Sequence, residues 1–150
     1  MAPLGPVLVL GLGLLLTVTG CVGPAWSETD YREKVANTAQ AARSSVQTAA
    51  LVVEAADAGK APGPYTARAL SDAETALDSV ATQIGSVQPP NADSEALRSR
   101  LTSLLEQCRT ALADLRIAAR GGRFDELGVL AEPLPRLAAR LQRLERLRPT

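Results

Sequence analysis

The sequence contains no histidine and very few aromatic residues. Histidine is the commonest general base and metal ligand, and its absence excludes the di-metal centres that bundles build from Glu-x-x-His motifs. Strands favour aromatic and β-branched residues, whereas this chain is dominated by Ala, Leu and Arg. Its 150 residues suffice for one domain. We therefore expect a single all-α domain.

A dense Lys/Arg tract interleaved with aromatic residues is also lacking, so we do not expect nucleic-acid binding. Charge is balanced overall but unevenly distributed. Residues 27–95 carry five basic and ten acidic side chains, whereas residues 96–150 carry eleven basic and six acidic ones. Acidic helices packed beside basic ones would neutralise each other by surface pairing, and we favour this interpretation over an anionic partner.

An apolar segment lies near the start of the sequence. Val7 to Val18 form a run of twelve residues, about 18 Å long as a helix, which is too short to span a hydrocarbon core of about 30 Å. The length fits the core of an export signal. Val18-Thr19-Gly20-Cys21 directly follows, and it resembles the lipobox of bacterial prolipoproteins: an aliphatic residue, a small residue, Gly or Ala, then Cys.

The resemblance implies diacylglyceryl transfer to Cys21 and cleavage between Gly20 and Cys21. Residues 1–20 would be the signal peptide, 21–26 a lipidated tether and 27–148 the folded domain, held at the outer face of the cytoplasmic membrane. The Ala content and the excess of Arg over Lys also resemble small helical-bundle lipoproteins of high-GC Gram-positive bacteria.

The segment before the apolar run, Met1 to Gly5, lacks the Lys or Arg typical of export signals. Two alternatives therefore stay open: a start codon placed too late, or an uncleaved anchor with Cys21 unmodified. If Cys21 carries lipid, Cys108 has no partner in the chain and no structural disulfide is expected. Cys108 lies on an apolar helical stripe, which predicts a buried core residue rather than a reactive thiol.

Spacings of three and four predict four amphipathic helices. The first begins at a capping arrangement of Ser27 with Asp30 and ends at Gly59; the second runs from Pro64 to Pro89-Pro90, and the third from Asn91 to Gly121. The predicted core positions are Val35, Ala39, Ala42, Val46, Ala49, Val53 and Ala56; Leu70, Ala73, Leu77, Val80 and Ile84; Leu97, Leu101, Leu104, Cys108, Leu112 and Leu115; and Leu127, Leu130, Leu134, Leu137, Leu141 and Leu144.

The last segment contains Pro133 and Pro135, each of which removes a backbone donor. We expect a short helix over 124–131, a kink or break, and a further helix to about residue 147. Short Gly/Pro turns between the helices favour antiparallel neighbours, and hence an up-down-up-down four-helix bundle.

Carboxylate pairs occur at Glu28/Asp30, Asp72/Glu74 and Asp125/Glu126. Each pair lies in or near the first turns of a predicted helix or on a solvent face, where capping and solubility explain it. We therefore expect no enzymatic activity, no cofactor and no metal site.

Two surface regions are candidates for contacts. At the end far from the anchor, the loops 59–65 and 120–124 bring together a basic rim and two aromatic rings, the composition of a small protein-contact site. Its residues are Lys60, Tyr65, Arg120, Arg123 and Phe124. Alternatively, the two rings only close that end of the core.

At the anchored end, Trp26 and Tyr31 either meet the lipid headgroups or cover the core. A stripe of arginines on the last helix is a candidate membrane-surface contact; with Trp26, this region comprises Arg140, Arg143, Arg146 and Arg148, and Arg136 begins the same stripe. Its alternative is pairing with the acidic first two helices.

These features predict a non-enzymatic interaction or scaffold module, anchored to the membrane through Cys21 and contacting a protein partner. The alternative is a carrier that holds a lipid or small apolar ligand within the bundle, which requires a continuous apolar cavity along its axis.

We expect Cys21 to be the first residue of the mature protein and to carry acyl groups. Intact mass of the membrane-extracted protein checks this, and Cys21→Ala should abolish both the acyl mass and the cleavage. A mature chain that retains residues 1–20 would contradict the prediction.

Overall fold

The computed structural model describes residues 27–149, which fold into helices without any strand. The all-α class is therefore confirmed. A 3-10 turn, Phe124–Glu126, precedes the fourth helix. The α-helices are α1 Glu28–Asp57, α2 Gly63–Gly85, α3 Ala92–Arg120, α4 Leu127–Ala131 and α5 Leu134–Glu145. The predicted signal peptide, lipobox and tether lie outside the described residues.

Side-chain caps fix the starts of the two longest helices. The Ser27 hydroxyl accepts a hydrogen bond from the Asp30 amide at 3.1 Å, and the Asn91 side-chain oxygen accepts one from the Ser94 amide at 2.8 Å. Each bond satisfies an N–H that has no partner within its helix. Gly59, which follows α1, has a φ of +67°, a conformation that favours glycine. The predicted boundaries of α1 and α3 therefore have a local cause.

The two prolines divide the last predicted helix, as expected. Only Glu132 and Pro133 separate α4 from α5. The Glu132 amide donates to the Val129 carbonyl at 3.2 Å, which tightens the turn. The missing N–H groups of Pro133 and Pro135 fall in this turn and in the first turn of α5, where a helix has free donors in any case.

The core consists almost entirely of aliphatic side chains from the predicted stripes. Of these positions, only Ala56, Val80, Leu130 and Leu144 are partly rather than fully buried. Leu127, Leu134 and Leu137 are all buried, so the pieces on both sides of the proline break face one core. The buried apolar residues that the stripes did not include are Tyr31, Ala36, Val52, Leu105, Ala111, Ala118 and Ala119.

Cross-helix pairs give the direction of neighbouring helices. Arg109 pairs with Asp78 at 2.8 Å and Arg116 pairs with Glu74. Residue numbers rise along α3 as they fall along α2, so the two helices are antiparallel. These two pairs also realise the expected neutralisation of acidic α2 by basic α3.

On the other flank of α1, Arg43 pairs with Glu145 at 3.0 Å, and Arg148 donates to Asn37 and Gln40. These contacts make α5 antiparallel to α1. Helices α1 and α3 also pack against each other across the bundle, with α2 and α5 on opposite flanks of this central pair.

Leu104→Ala and Leu141→Ala should each lower the free energy of unfolding by about 2 to 5 kcal/mol, because both leucines are buried and truncation leaves a cavity. Gln142→Ala, beside Leu141 but exposed, should cost at most about 0.5 kcal/mol. Chemical denaturation measures all three. Equal losses at Leu141 and Gln142 would contradict the observed phase of α5.

Candidate functional site

Phe124 joins the two loops of the predicted contact region, at the end of the bundle where α1 meets α2. Its ring packs over Gly63 so closely that a Cβ atom on residue 63 would lie 2.8 Å from the ring Cζ. The ring is half-buried against the core. The loop before α2 and the turn after α3 therefore meet, and Phe124 closes this end of the core.

The other four residues of this region are not gathered into one cluster. Arg120 donates to the Ser71 hydroxyl at 3.3 Å, and Arg123 donates to the Glu126 carboxylate at 3.1 Å. Lys60 is exposed in the loop. Tyr65 is 61 % exposed and points into a furrow between α1 and α2. Only Phe124 acts as the ring that covers the core.

The α1/α2 furrow has a volume of about 670 Å³. It is open to solvent along its length. Small side chains, including Ala41, Ser45, Ala69, Ala73 and Ala76, form its floor. A second cavity shares Ala41 and Val80 with it and continues to Lys34 and Val87. The furrow and this extension therefore run along about half of α1, from Lys34 to Thr48.

Sequence reasoning missed this furrow. The available signal was the run of small and uncharged residues at outward positions of α1 and α2, such as Ala41, Ser44, Thr48 and Ala76. That pattern fits a solvent face equally well. The sequence does not say which helices become neighbours. In the structure α5 packs on one flank of α1, and the helices of residues 27–149 leave the α1/α2 furrow uncovered.

The arginines of α5 and of the residues after it form the second notable surface. Within residues 27–149 none of them takes part in an ion pair, although ion pairs engage several arginines of α1 to α3. Arg140 donates to Gln107, and Arg148 to Asn37 and Gln40, all uncharged side chains. We call this surface the arginine ridge: Arg136, Arg140, Arg143, Arg146 and Arg148.

Tyr31 covers the core at the end of the bundle where α1 begins. It is fully buried, so the headgroup interpretation is wrong for this residue and the core interpretation holds. Burial raises the pKa of its phenol, with Arg98 opposing and Glu95 adding to the rise. The Tyr31 hydroxyl and the buried Ser94 hydroxyl make no hydrogen bond within the described part of the chain. Trp26 lies outside the described residues.

Cys108 is a core residue, as predicted from its stripe position. It is fully buried in the middle of α3. Burial raises the pKa of its thiol from 9.0 to about 11, and the Arg140 guanidinium offsets part of that rise. The thiolate is the nucleophilic form, so this thiol is unreactive at neutral pH.

Five of the six carboxylates that the sequence presents in pairs have structural partners. Glu28 pairs with Arg32, Asp30 with Lys34, Asp72 with Arg68 and Glu126 with Arg123, each within one helical turn. Glu74 joins α2 to α3 through Arg116. Across residues 27–149, no group of three or more acidic or cysteine side chains is arranged to hold a metal ion.

No helix within 27–149 has the length and hydropathy required to cross a membrane. Comparisons with protein-family models, with curated proteins and with solved structures gave no match.

The stability of the protein should fall as pH rises from about 9 to about 11. The Cys108 thiol has a pKa near 9.0 in the unfolded chain but near 11 in the folded protein. The free energy of unfolding that the neutral thiol contributes is therefore complete below pH 9 and is lost as pH rises to 11. The loss is on the order of 3 kcal/mol. The pKa of Tyr31 is also raised above its ordinary value of 10.0, so its ionisation lowers the stability further above about pH 10.

Denaturation at pH 7, 9 and 11 measures this dependence. Cys108→Ala should be less stable at pH 7 because of its cavity, yet lose less stability between pH 9 and 11 than the wild type. Parallel curves for the two proteins would contradict the assignment to Cys108.

Proposed function

We propose that this protein is a lipid-anchored, non-enzymatic interaction or scaffold module at the outer face of the cytoplasmic membrane, attached through diacylglyceryl Cys21. The lipobox resemblance supports the anchor. The arginine ridge carries the proposal of an interaction role, because none of its five guanidinium groups is in an ion pair within residues 27–149, whereas Arg109 and Arg116 of α3 are paired with carboxylates of α2.

The position of the ridge favours a protein partner over the lipid surface. Arg148, at the end of the ridge, lies level with Asn37 and Gln40. Asn37 is nine residues from the start of α1, or about 14 Å along the helix. With the bundle upright on its anchor, that distance exceeds the screening length of about 8 to 10 Å at physiological salt. An acidic protein surface is the complementary partner.

Membrane-surface contact through Trp26, Arg140, Arg143, Arg146 and Arg148 is the second candidate, and it requires the bundle to lie on its side. A carrier role within the bundle receives less support. It needs a chamber along the axis, where the leucines of α3 and α5 are packed. The α1/α2 furrow is instead open to solvent.

Replacing Arg140, Arg143, Arg146 and Arg148 with Gln separates the two partners. Near 0.15 M salt, the lipidated protein should show the same preference for anionic over neutral vesicles with these substitutions as without them, because the anchor holds the ridge beyond screened reach. In cells, photocrosslinking of the lipidated protein to neighbouring proteins should fall several-fold, because charge-complementary contacts are lost.

The matched control replaces three exposed arginines that are engaged in ion pairs away from the α1/α2 furrow. These are Arg32, Arg109 and Arg123. The control should leave the crosslinks unchanged. A preference for anionic vesicles that is lost with the ridge variant while crosslinks persist would contradict the protein-partner role and assign the ridge to the membrane.

A further inference from the structure

The α1/α2 furrow lies in a face of the bundle that is almost free of charge. Along the furrow and its extension only Lys34, Arg68 and Asp72 are ionised. Lys34 is paired with Asp30, and Arg68 with Asp72 at 3.0 Å, so these charges cancel within the face. Ordinary surface helices carry charged residues on their outer side. The composition of this face is that of a surface covered by another helical surface.

Two large apolar side chains stand on the same face. Leu51 is 65 % exposed on α1, one turn beyond Thr48, and Tyr65 is 61 % exposed on α2. Together with the small residues of the furrow, they give a face that is convex at one end and concave along the rest. We infer that this face packs against the same face of a second copy of the chain, forming a parallel two-fold dimer. The geometry of the dimer rests on the proposed lipid anchor.

The anchor selects the symmetry. Two copies attached to one membrane are related by a two-fold axis along the membrane normal, and hence along the furrow when the bundles stand upright. Rotation about this axis places α1 of one copy opposite α2 of the other, antiparallel and at equal height. The two hairpins then form a further four-helix arrangement, in which small side chains allow close approach.

Charges are compatible with this arrangement. Lys34 and Gln83 line the extension, and Arg68 and Thr48 line the furrow. Counted along each helix from the α1/α2 turn at about 1.5 Å per residue, the members of each pair lie within about 6 Å of the same height. Because the rotation preserves height, Lys34 faces Gln83 of the second copy and Arg68 faces Thr48, so no like charges oppose each other. The outer faces of α3 and α5 are less suited to contact with a second copy, because they carry exposed arginines such as Arg100, Arg136 and Arg143.

The size of the face is sufficient for a weak dimer. From Lys34 to Leu51 it spans eighteen residues of α1, or about 25 Å, and two helices make it about 20 Å wide. The pair therefore covers about 1,000 Å², the lower limit for a specific interface. Anchoring both copies in one membrane raises their effective concentration and compensates for this modest area.

Cysteine crosslinking in the membranes of producing cells tests the arrangement. Ser44 and Ala76 line the furrow on α1 and α2 and are both exposed. Ser44→Cys and Ala76→Cys chains with different tags, produced together, should form a mixed disulfide at least about tenfold above the pair Ser103→Cys and Ala96→Cys, exposed on α3. The buried Cys108 contributes little background.

A charge test uses the same four positions. Ser44→Arg with Ala76→Arg should lower the dimer fraction of the full-length protein, measured by chemical crosslinking in membranes, by at least about tenfold, because like charges then meet across the axis. Ala96→Arg with Ser103→Arg should leave it unchanged.

A strictly monomeric protein, a dimer indifferent to the furrow substitutions, or crosslinks only to another protein would overturn the inference. Acyl mass on Cys21 is measured in the same samples. Acylated monomers would refute the dimer alone, whereas dimers without acyl mass would refute the anchor and leave self-association standing.

Discussion

Every other helix of the described bundle packs on α1, and the small side chains of α1 decide how closely it can do so. Its buried stripe consists mainly of Ala and Val, whereas α3 and α5 present leucines. Interhelical distance follows the size of the side chains at the contact. A helix with small residues on several sides can therefore sit in the centre of a domain with only a modest core, contacting α2, α3 and α5 at once.

This central position explains how the charge asymmetry of the sequence is resolved. The acidic residues of α2 meet the basic residues of α3 because these helices are antiparallel neighbours, and Glu74–Arg116 and Asp78–Arg109 are the result. Helix α5 lies on the opposite flank of α1 and cannot reach α2. Its arginines consequently make no ion pair with the acidic residues of α2. The surplus positive charge of the second half of the chain is therefore concentrated on the arginine ridge.

Helix positions and phases were readable from the sequence because leucine spacing, caps and prolines act locally. Ser27, Asn91 and the pair Pro133 and Pro135 all behave as their chemistry predicts. The contact surfaces were less readable, since they depend on which helices become neighbours. Tyr65 and Phe124 are both near the far end of the bundle, yet one faces the α1/α2 furrow and the other Gly63. An exposed run of Ala, Ser and Thr also has no signature that distinguishes solvent from a second helix. The lipobox interpretation of Cys21 stays a prediction.

The ion pair between Arg43 and Glu145 links residues 102 positions apart, and α5 packs along the flank of α1 throughout its length. In contrast, α1 with α2 and α2 with α3 are joined by short turns and make contacts of low sequence separation. Loop-closure entropy therefore allows the first three helices to associate early, while α5 docks only after nearly the whole domain has been synthesised. Until then the flank of α1 around Val46 and Ala50, which α5 later covers, is exposed. The nascent domain thus carries a transient apolar surface, the feature that recruits chaperones during synthesis.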